Sequence, residues 1–245
     1  MFRKRALMLY RKNFVITYRL TDLLLKNNIE VGCFKEKIIN ILNIFNSEFI
    51  LKKIDYFFKS KIKSPQEKIS LTITEESIMH LFGIAYYSID ERTTPELFEQ
   101  PSFAKEFFSD FKNNDLSLNK CWVENLTKVN DKIEVLQFIS DIKTSKVRIG
   151  GYGELRTISM TNTLRTSGTS LGLGLFHESK NSIPRTCLNL KADIRAKNNL
   201  AFKNVYKCSK IIEYNRLPNG RWKQCKKQTF NLNKKKKKER QKPRH

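Results

Sequence analysis

The chain has 245 residues, a hydrophobic fraction of 40% and a mean hydropathy of −0.50, which together predict one core with polar flanks. Lys and Arg outnumber Asp and Glu by 47 to 24, so the formal net charge is +23 and favours a polyanionic partner, with nucleic acid ahead of an anionic membrane or an acidic protein. Because no apolar run is long enough to span a bilayer, the sequence predicts no integral membrane segment.

The five cysteines are odd in number and widely spaced, at Cys33, Cys121, Cys187, Cys208 and Cys225. None forms a CxxC pair or a Cys/His cluster with zinc-ligand spacing, and the basic start of the chain has no apolar segment typical of a secretory signal. Motifs for a phosphate loop, a dinucleotide site, a zinc protease or a serine hydrolase do not occur. The sequence therefore predicts a cytoplasmic protein with reduced thiols and with no metal or cofactor.

The first half of the chain predicts mainly helices. Apolar spacings of three and four predict a helix over 34–58, although its end, Tyr56-Phe57-Phe58, can instead begin a strand. Alternation predicts a strand over 69–73. Thr74 is a suitable N-cap for the helix that follows, and Gly83 is expected to end it.

The middle of the chain predicts further helices, and the last third predicts strands. The helices are expected from Thr94-Pro95 and over 101–111, 124–129 and 131–142; after Gly153 the apolar period becomes two, which predicts strands over 155–160, 170–176, 183–190 and 202–214. In 170–176 leucine alternates with glycine, so another group is expected to approach the glycine face closely. This order predicts an α+β fold with helices followed by a small antiparallel sheet of about four strands.

Composition divides the chain into three segments. Residues 1–54 are expected to form a basic helical N-terminal region, and 55–215 an α+β domain. Residues 216–245 carry thirteen Lys or Arg and one Glu, which predicts a basic, largely disordered tail.

His80 is the histidine of greatest interest, because it is the only one of three inside a predicted helix or strand. An imidazole titrates near neutral pH and suits proton transfer. The alternative is a structural histidine at the edge of the core.

Arg165, Arg185 and Thr186 are the other candidate catalytic residues. Cleavage of RNA by its 2′-hydroxyl needs an acid, a base and cations for the phosphorane charge, and arginine matches phosphate oxygens with two parallel hydrogen bonds. Pro184 removes a ladder donor, so its strand is expected to be bulged or at an edge, which can aim Arg185 into a cleft. The alternatives are ordinary loop residues around Arg165 and a solvated edge around Arg185.

Two short segments resemble a known family. The strand ISLTI at 69–73 and the run IMHLFGI at 78–84 resemble the strand and HLxGI segment of phage-encoded nuclease-like domains of the barnase–EndoU–colicin–RelE-like group, over roughly 55–214. The resemblance implies a small RNase-toxin-like fold, carriage on a prophage or other mobile element in a bacterium, and a cognate inhibitor protein as partner. His80 matches the family's histidine, whereas Thr186 stands where a serine is expected after the proline.

These observations predict a metal-independent endoribonuclease with His80 as base or acid, Arg165 and Arg185 on the phosphate, and Thr186 assisting. RNA is the favoured substrate. The alternative is a non-catalytic nucleic-acid-binding accessory protein of a mobile element. Peripheral membrane association through the basic ends is less favoured, because no clear amphipathic helix with aromatic anchors is present.

Overall fold

Helices and strands interleave along the chain. The computed structural model describes residues 7–10, 13–16, 18–60, 65–87, 102–155, 158–167, 170–178, 181–193 and 198–231. The helices there are α1 (Leu20–Lys26), α2 (Val31–Glu48), α3 (Glu75–Phe82), α4 (Ser102–Lys112), α5 (Leu126–Leu136) and α6 (Leu200–Lys203), with short 3-10 helices at Leu118–Lys120 and Ile139–Lys143.

The strands are short, and most are antiparallel to their neighbours. They are β1 (Leu7–Tyr10), β2 (Asn13–Ile16), β3 (Tyr18–Arg19), β4 (Lys52–Phe58), β5 (Glu67–Thr72), β6 (Ala85–Tyr86), β7 (Cys121–Val123), β8 (Val147–Gly150), β9 (Gly153–Leu155), β10 (Ile158–Met160), β11 (Asn162–Thr166), β12 (Leu171–Glu178), β13 (Asn181–Asn189), β14 (Val205–Arg216) and β15 (Trp222–Thr229).

The main sheet closes on itself. Within the described residues its order is β15-β14-β4-β5-β13-β12-β11-β8, and β8 pairs again with β14 where Val205 lies opposite Gly150. Seven strands therefore form a closed barrel, and β15 extends from β14 as an extra strand. The pair β13–β5 is parallel, with Ser182 opposite Leu71.

The expected fold of helices followed by about four strands is wrong. The described part of the chain has eight strands in its main sheet, and β4 and β5 come before four of the six helices. The predicted helix over 34–58 ends at Glu48, because Leu51 adopts a positive φ of 58° that turns the chain into β4. The alternative that Tyr56-Phe57-Phe58 belong to a strand is the one observed.

Several local predictions are confirmed and others are corrected. The segments predicted over 69–73, 101–111, 170–176 and 183–190 correspond to β5, α4, β12 and β13. The two predicted helices between 124 and 142 are one α-helix, α5, and the 3-10 helix at Ile139–Lys143; the predicted strand over 155–160 is instead the pair β9 and β10. The helix expected at Thr94-Pro95 and the end of the chain beyond 231 lie outside the described residues.

One principal core joins the helices to the sheet, and a small second cluster covers the glycine face of β12. The second cluster contains Met160, Leu190 and Phe202. A Cβ atom on Gly172 would lie 2.9 Å from a methyl carbon of Leu190, so the expected close approach to the glycine face is confirmed. Among the described residues, no helix combines the length and the apolar character needed to cross a membrane.

Candidate active site

Helix α3 presents His80 at the surface, while the apolar side chains of the helix anchor it in the core. The Thr74 N–H donates to Ser77 Oγ at 3.2 Å at the start of the helix, and Gly83 ends it with a φ of 72°. Ile78 and Leu81 are fully buried, whereas His80 is exposed. The helix is thus held by its apolar face, and the imidazole is accessible to a ligand.

Strand β13 carries Arg185 in a β-bulge. Pro184 lies opposite Leu175 and Thr186 lies opposite Gly174, so Arg185 has no residue opposite it on β12. The bulge expected near Pro184 is therefore confirmed. The guanidinium lies 4.0 Å from the ring centroid of Phe176 and is exposed, so it is held at the surface in an orientation that can face a bound anion.

Lys132 on α5 is a second cation near His80, in addition to Arg185. Its Nζ donates to the backbone oxygen of His80 at 3.4 Å and packs beside Gly83. The sequence analysis missed this lysine, because its proximity to His80 depends on how α5 packs beside α3 and one lysine among many basic residues gives no local signal.

The surroundings of His80 lower its pKa below the ordinary value of 6.5. Burial of part of the imidazole is the largest cause, and the positive charges of Lys132 and Arg185 act in the same direction. The pKa of Lys132 is also lowered, mainly by burial. At neutral pH His80 is therefore an uncharged imidazole that can accept a proton beside two cations.

Cys187 lies near Lys132, but its thiol is not activated as a nucleophile. Its thiol is fully buried, and burial raises its pKa to about 12 although the charge of Lys132 opposes the shift. The described residues contain no group of three or more His, Cys, Asp or Glu side chains that could hold a metal ion.

Arg165 and Thr186 have other immediate surroundings. Arg165 Nη1 donates to the Phe202 backbone oxygen at 2.8 Å. Arg165 lies two strands away from β13, in register with a position three residues from Arg185. The two Cα atoms are therefore roughly 14 Å apart. Thr186 is 4% exposed and packs beside Gly174. The residues that the structure brings together are His80, Arg185 and Lys132.

A neutral imidazole next to two cations is suited to acid–base chemistry on a phosphate. A family model described as "phage-Barnase-EndoU-ColicinE5/D-RelE like nuclease4" matches residues 37–217, about three quarters of the chain. The chain belongs to this nuclease family. The match runs from within α2 to just beyond β14, and it includes His80, Lys132 and Arg185.

Membership of this barnase–EndoU–colicin–RelE-like family indicates a nuclease-like function with nucleic acid as substrate. The resemblance seen in the sequence is thereby confirmed at the level of the family, while the subgroup with the HLxGI segment stays a prediction. No curated protein and no solved structure matches the chain.

Proposed function

We propose that this member of the nuclease family is a metal-independent endoribonuclease. His80 accepts the proton of a ribose 2′-hydroxyl, and the 2′-oxygen then attacks the adjacent phosphorus. The bond from phosphorus to the 5′-oxygen breaks, which leaves a 2′,3′-cyclic phosphate and a 5′-hydroxyl. The observation that carries this proposal is the exposed His80 imidazole with Lys132 and Arg185 as neighbouring cations.

The two cations have separate tasks in the proposed reaction. Arg185 is pre-oriented by its bulge and by Phe176, and we assign it to the non-bridging phosphate oxygens, whose negative charge grows in the transition state. Lys132 adds positive charge beside His80, and as an ammonium group it can supply the proton that the departing 5′-oxygen needs. Roles for Arg165 on the phosphate and for Thr186 as an assisting hydroxyl stay predictions.

The test is cleavage of end-labelled RNA by the purified protein in EDTA. We expect the wild type to yield 2′,3′-cyclic ends, and His80→Gln or Arg185→Gln to lower the rate by at least a hundredfold, on the order of what one acid–base or charge-stabilising group contributes. His177→Gln is the matched control. It removes an exposed histidine from the sheet that carries Arg185, and it should leave the cleavage rate unchanged. Equal rates in His80→Gln and wild type would reject the assignment.

A second candidate function is that of a nucleic-acid-binding accessory protein without catalysis. The net charge of +23 favours it, because such a charge binds phosphates whether or not a bond is cut. Salt-sensitive RNA binding without cleavage, unchanged by His80→Gln, would support this alternative.

The biological setting that we propose follows from the resemblance and not from the geometry. It comprises a phage or mobile-element origin, a bacterial cytoplasmic location, a toxin-like role and a cognate inhibitor protein. Growth arrest on expression, relieved by a protein encoded beside this one, would support that setting.

A further inference from the structure

A row of cations and aromatic rings crosses three neighbouring strands away from His80. Residues directly opposite each other on paired strands share a face of the sheet, and so do residues two apart on one strand. Tyr214 on β14 lies opposite Lys53 on β4 and Gln224 on β15, and Arg216 lies opposite Trp222. We name this side of the sheet the outer face. Its cations and the aromatic residues of β14 and β15 on this face are Lys53, Lys210, Tyr214, Arg216, Trp222 and Lys227.

The outer face points away from the core. The alternating residues of the same strands, such as Ile54, Tyr56 and Ile211, belong to the principal core. In contrast, Arg216 and Lys227 are exposed, and Tyr214 and Trp222 are half-buried. Two partly accessible aromatic rings therefore lie at the end of the sheet formed by the hairpin of β14 and β15.

Lysine side chains form cation–π contacts with aromatic rings on this face. Lys53 Nζ lies 4.4 Å from the Tyr214 ring centroid and 5.7 Å from the Trp222 ring centroid. Lys210 Nζ lies 3.9 Å from the centroid of Phe57 in the same way. Each cation is thus positioned over an aromatic ring, which is an arrangement that can present a flat π-surface and a positive charge to the same ligand.

The hairpin of β14 and β15 presents positive charge to the solvent. Residues 205–231 contain seven Lys or Arg and a single carboxylate, Glu213, which is buried on the core side. The outer face carries one carboxylate, Asp55, but it is 3% exposed and pairs with Lys68 at 3.8 Å. The lysine run at 234–238 follows β15 in sequence.

We propose that the outer face binds single-stranded nucleic acid, with bases stacked on Trp222 and Tyr214 and phosphates held by Lys210, Arg216 and Lys227. Aromatic platforms surrounded by cations bind single strands with little sequence preference, since every base has a π-face. Only the choice of nucleic acid as partner rests on the proposed function. The face lies on β4, β14 and β15, whereas His80 and Arg185 lie on α3 and β13. It therefore tethers the strand outside the catalytic site.

The experiment measures binding without cleavage. The probe is a fluorescein-labelled oligodeoxythymidylate of about 12 nucleotides, a length within the usual range for such surfaces, and it has no 2′-hydroxyl to attack. Affinity falls as salt rises, so the slope of log affinity against log salt is negative. The variant Lys210→Gln/Arg216→Gln/Lys227→Gln should reduce the magnitude of this slope by about 2, because each lost phosphate contact on a single strand contributes about 0.7. The matched control Lys26→Gln/Lys35→Gln/Lys37→Gln removes the same charge from α1 and α2 and should leave the slope nearly unchanged.

Stacking has its own signal. The chain has two tryptophans, and Trp122 is 5% exposed, so quenching of tryptophan fluorescence by the oligonucleotide should come from Trp222. Trp222→Ala should remove the quenching and weaken binding about tenfold, the order expected for one stacked base. Trp222→Phe keeps a ring and should retain most of the affinity, which provides a measurement if the alanine variant does not fold.

Three results would overturn the proposal. They are equal losses of slope in the two triple variants, quenching that survives in Trp222→Ala, and binding to phosphatidylserine vesicles that displaces the oligonucleotide. Because the probe cannot be cut by 2′-hydroxyl attack, absence of ribonuclease activity leaves this test intact. Conversely, if the wild type cleaves RNA while any of these three results is observed, the tether is rejected and the proposed reaction stands.

Discussion

His80 shows how neighbours set the chemistry of a single residue. Its position in the last turn of α3 exposes the ring, and α5 and β13 supply the two positive charges that lower its pKa. An isolated histidine is half protonated near pH 6.5, whereas here the neutral form extends to lower pH. The proposed reaction therefore has a candidate base that is uncharged at neutral pH.

The first prediction concerns the pKa of His80. Arg185→Gln and Lys132→Met should each raise it towards 6.5, because each substitution removes a positive charge that disfavours the imidazolium. NMR titration of the His80 imidazole resonances measures this. A His80 pKa that stays unchanged in both variants would contradict the assigned electrostatic coupling.

The same shift fixes the sign of the pH dependence. Between the lowered pKa of His80 in the folded state and 6.5 in the unfolded chain, the unfolded chain binds more protons. The free energy of unfolding should therefore decrease as the pH falls through that window. The proposed cleavage rate should decrease only when the pH reaches the lowered pKa, where His80 of the folded protein becomes protonated. In Arg185→Gln the window should be narrower.

At the scale of elements, the end of β8 is held tightly against α6. A Cβ atom on Gly150 would collide with the backbone oxygen of Ala201 and with Thr163 Oγ1, which itself donates to that oxygen at 2.7 Å. Nothing lies within 4 Å of the corresponding position on Gly151. Two adjacent glycines thus have different roles, and only the first permits β8, β11 and α6 to pack.

The second prediction uses this pair. Gly150→Ala should lower the free energy of unfolding by about 2–3 kcal/mol, because the backbone of α6 must move to admit a methyl group. Gly151→Ala should change it by less than about 1 kcal/mol in either direction. Urea denaturation of the two variants gives the comparison, and equal effects would show that the packing of α6 on β8 is not what requires Gly150.

At the scale of the whole molecule, a cluster of ion pairs around Lys143 and Glu213 links four parts of the chain. Lys143 Nζ in the 3-10 helix lies 3.2 Å from a carboxylate oxygen of Glu48 on α2 and 2.9 Å from one of Glu213 on β14. Lys226 on β15 lies 3.6 Å from the other oxygen of Glu213. Since Glu213 is 3% exposed, these two lysines compensate the cost of burying its side chain.

The third prediction is that Lys143→Met destabilises the protein by roughly 3 kcal/mol, because it leaves the buried Glu213 carboxylate with Lys226 as its remaining cation. Lys146→Met is the control: Lys146 pairs with Asp141 at 3.1 Å but its side chain is 52% exposed, so the loss should be below about 1 kcal/mol. Similar midpoints of urea unfolding for the two variants would contradict a structural role for the buried pair.

The division at residues 54 and 55 into an N-terminal region and a nuclease-like domain stays a prediction. Helix α2 precedes that boundary, yet Ile38 and Leu42 lie in the principal core, and the family match already begins at residue 37. Strand β15 lies within the segment 216–245 that was expected to be a basic tail.

The sequence by itself determined the features that depend on near neighbours in the chain. Capping at Thr74 and Gly83 bounded α3, the alternation of leucine and glycine identified β12, and Pro184 indicated the bulge at Arg185, since each depends on local backbone sterics and hydrogen bonding. It also determined the family and the basic charge. The closure of the barrel was not predictable, because β4 followed a helical apolar pattern without a break, β8 and β11 are short, and β15 is too polar to be identified as a strand.

Only the tertiary structure decided which cations surround His80. Arg185 was expected to contribute, but Lys132 entered through the packing of α5 beside α3, and Arg165 turned out to donate to the Phe202 carbonyl. The outer face likewise exists only once β4, β14 and β15 are in register. A pattern of neighbouring residues can specify a cap or a strand, but contacts between residues far apart in the sequence depend on how the whole chain packs.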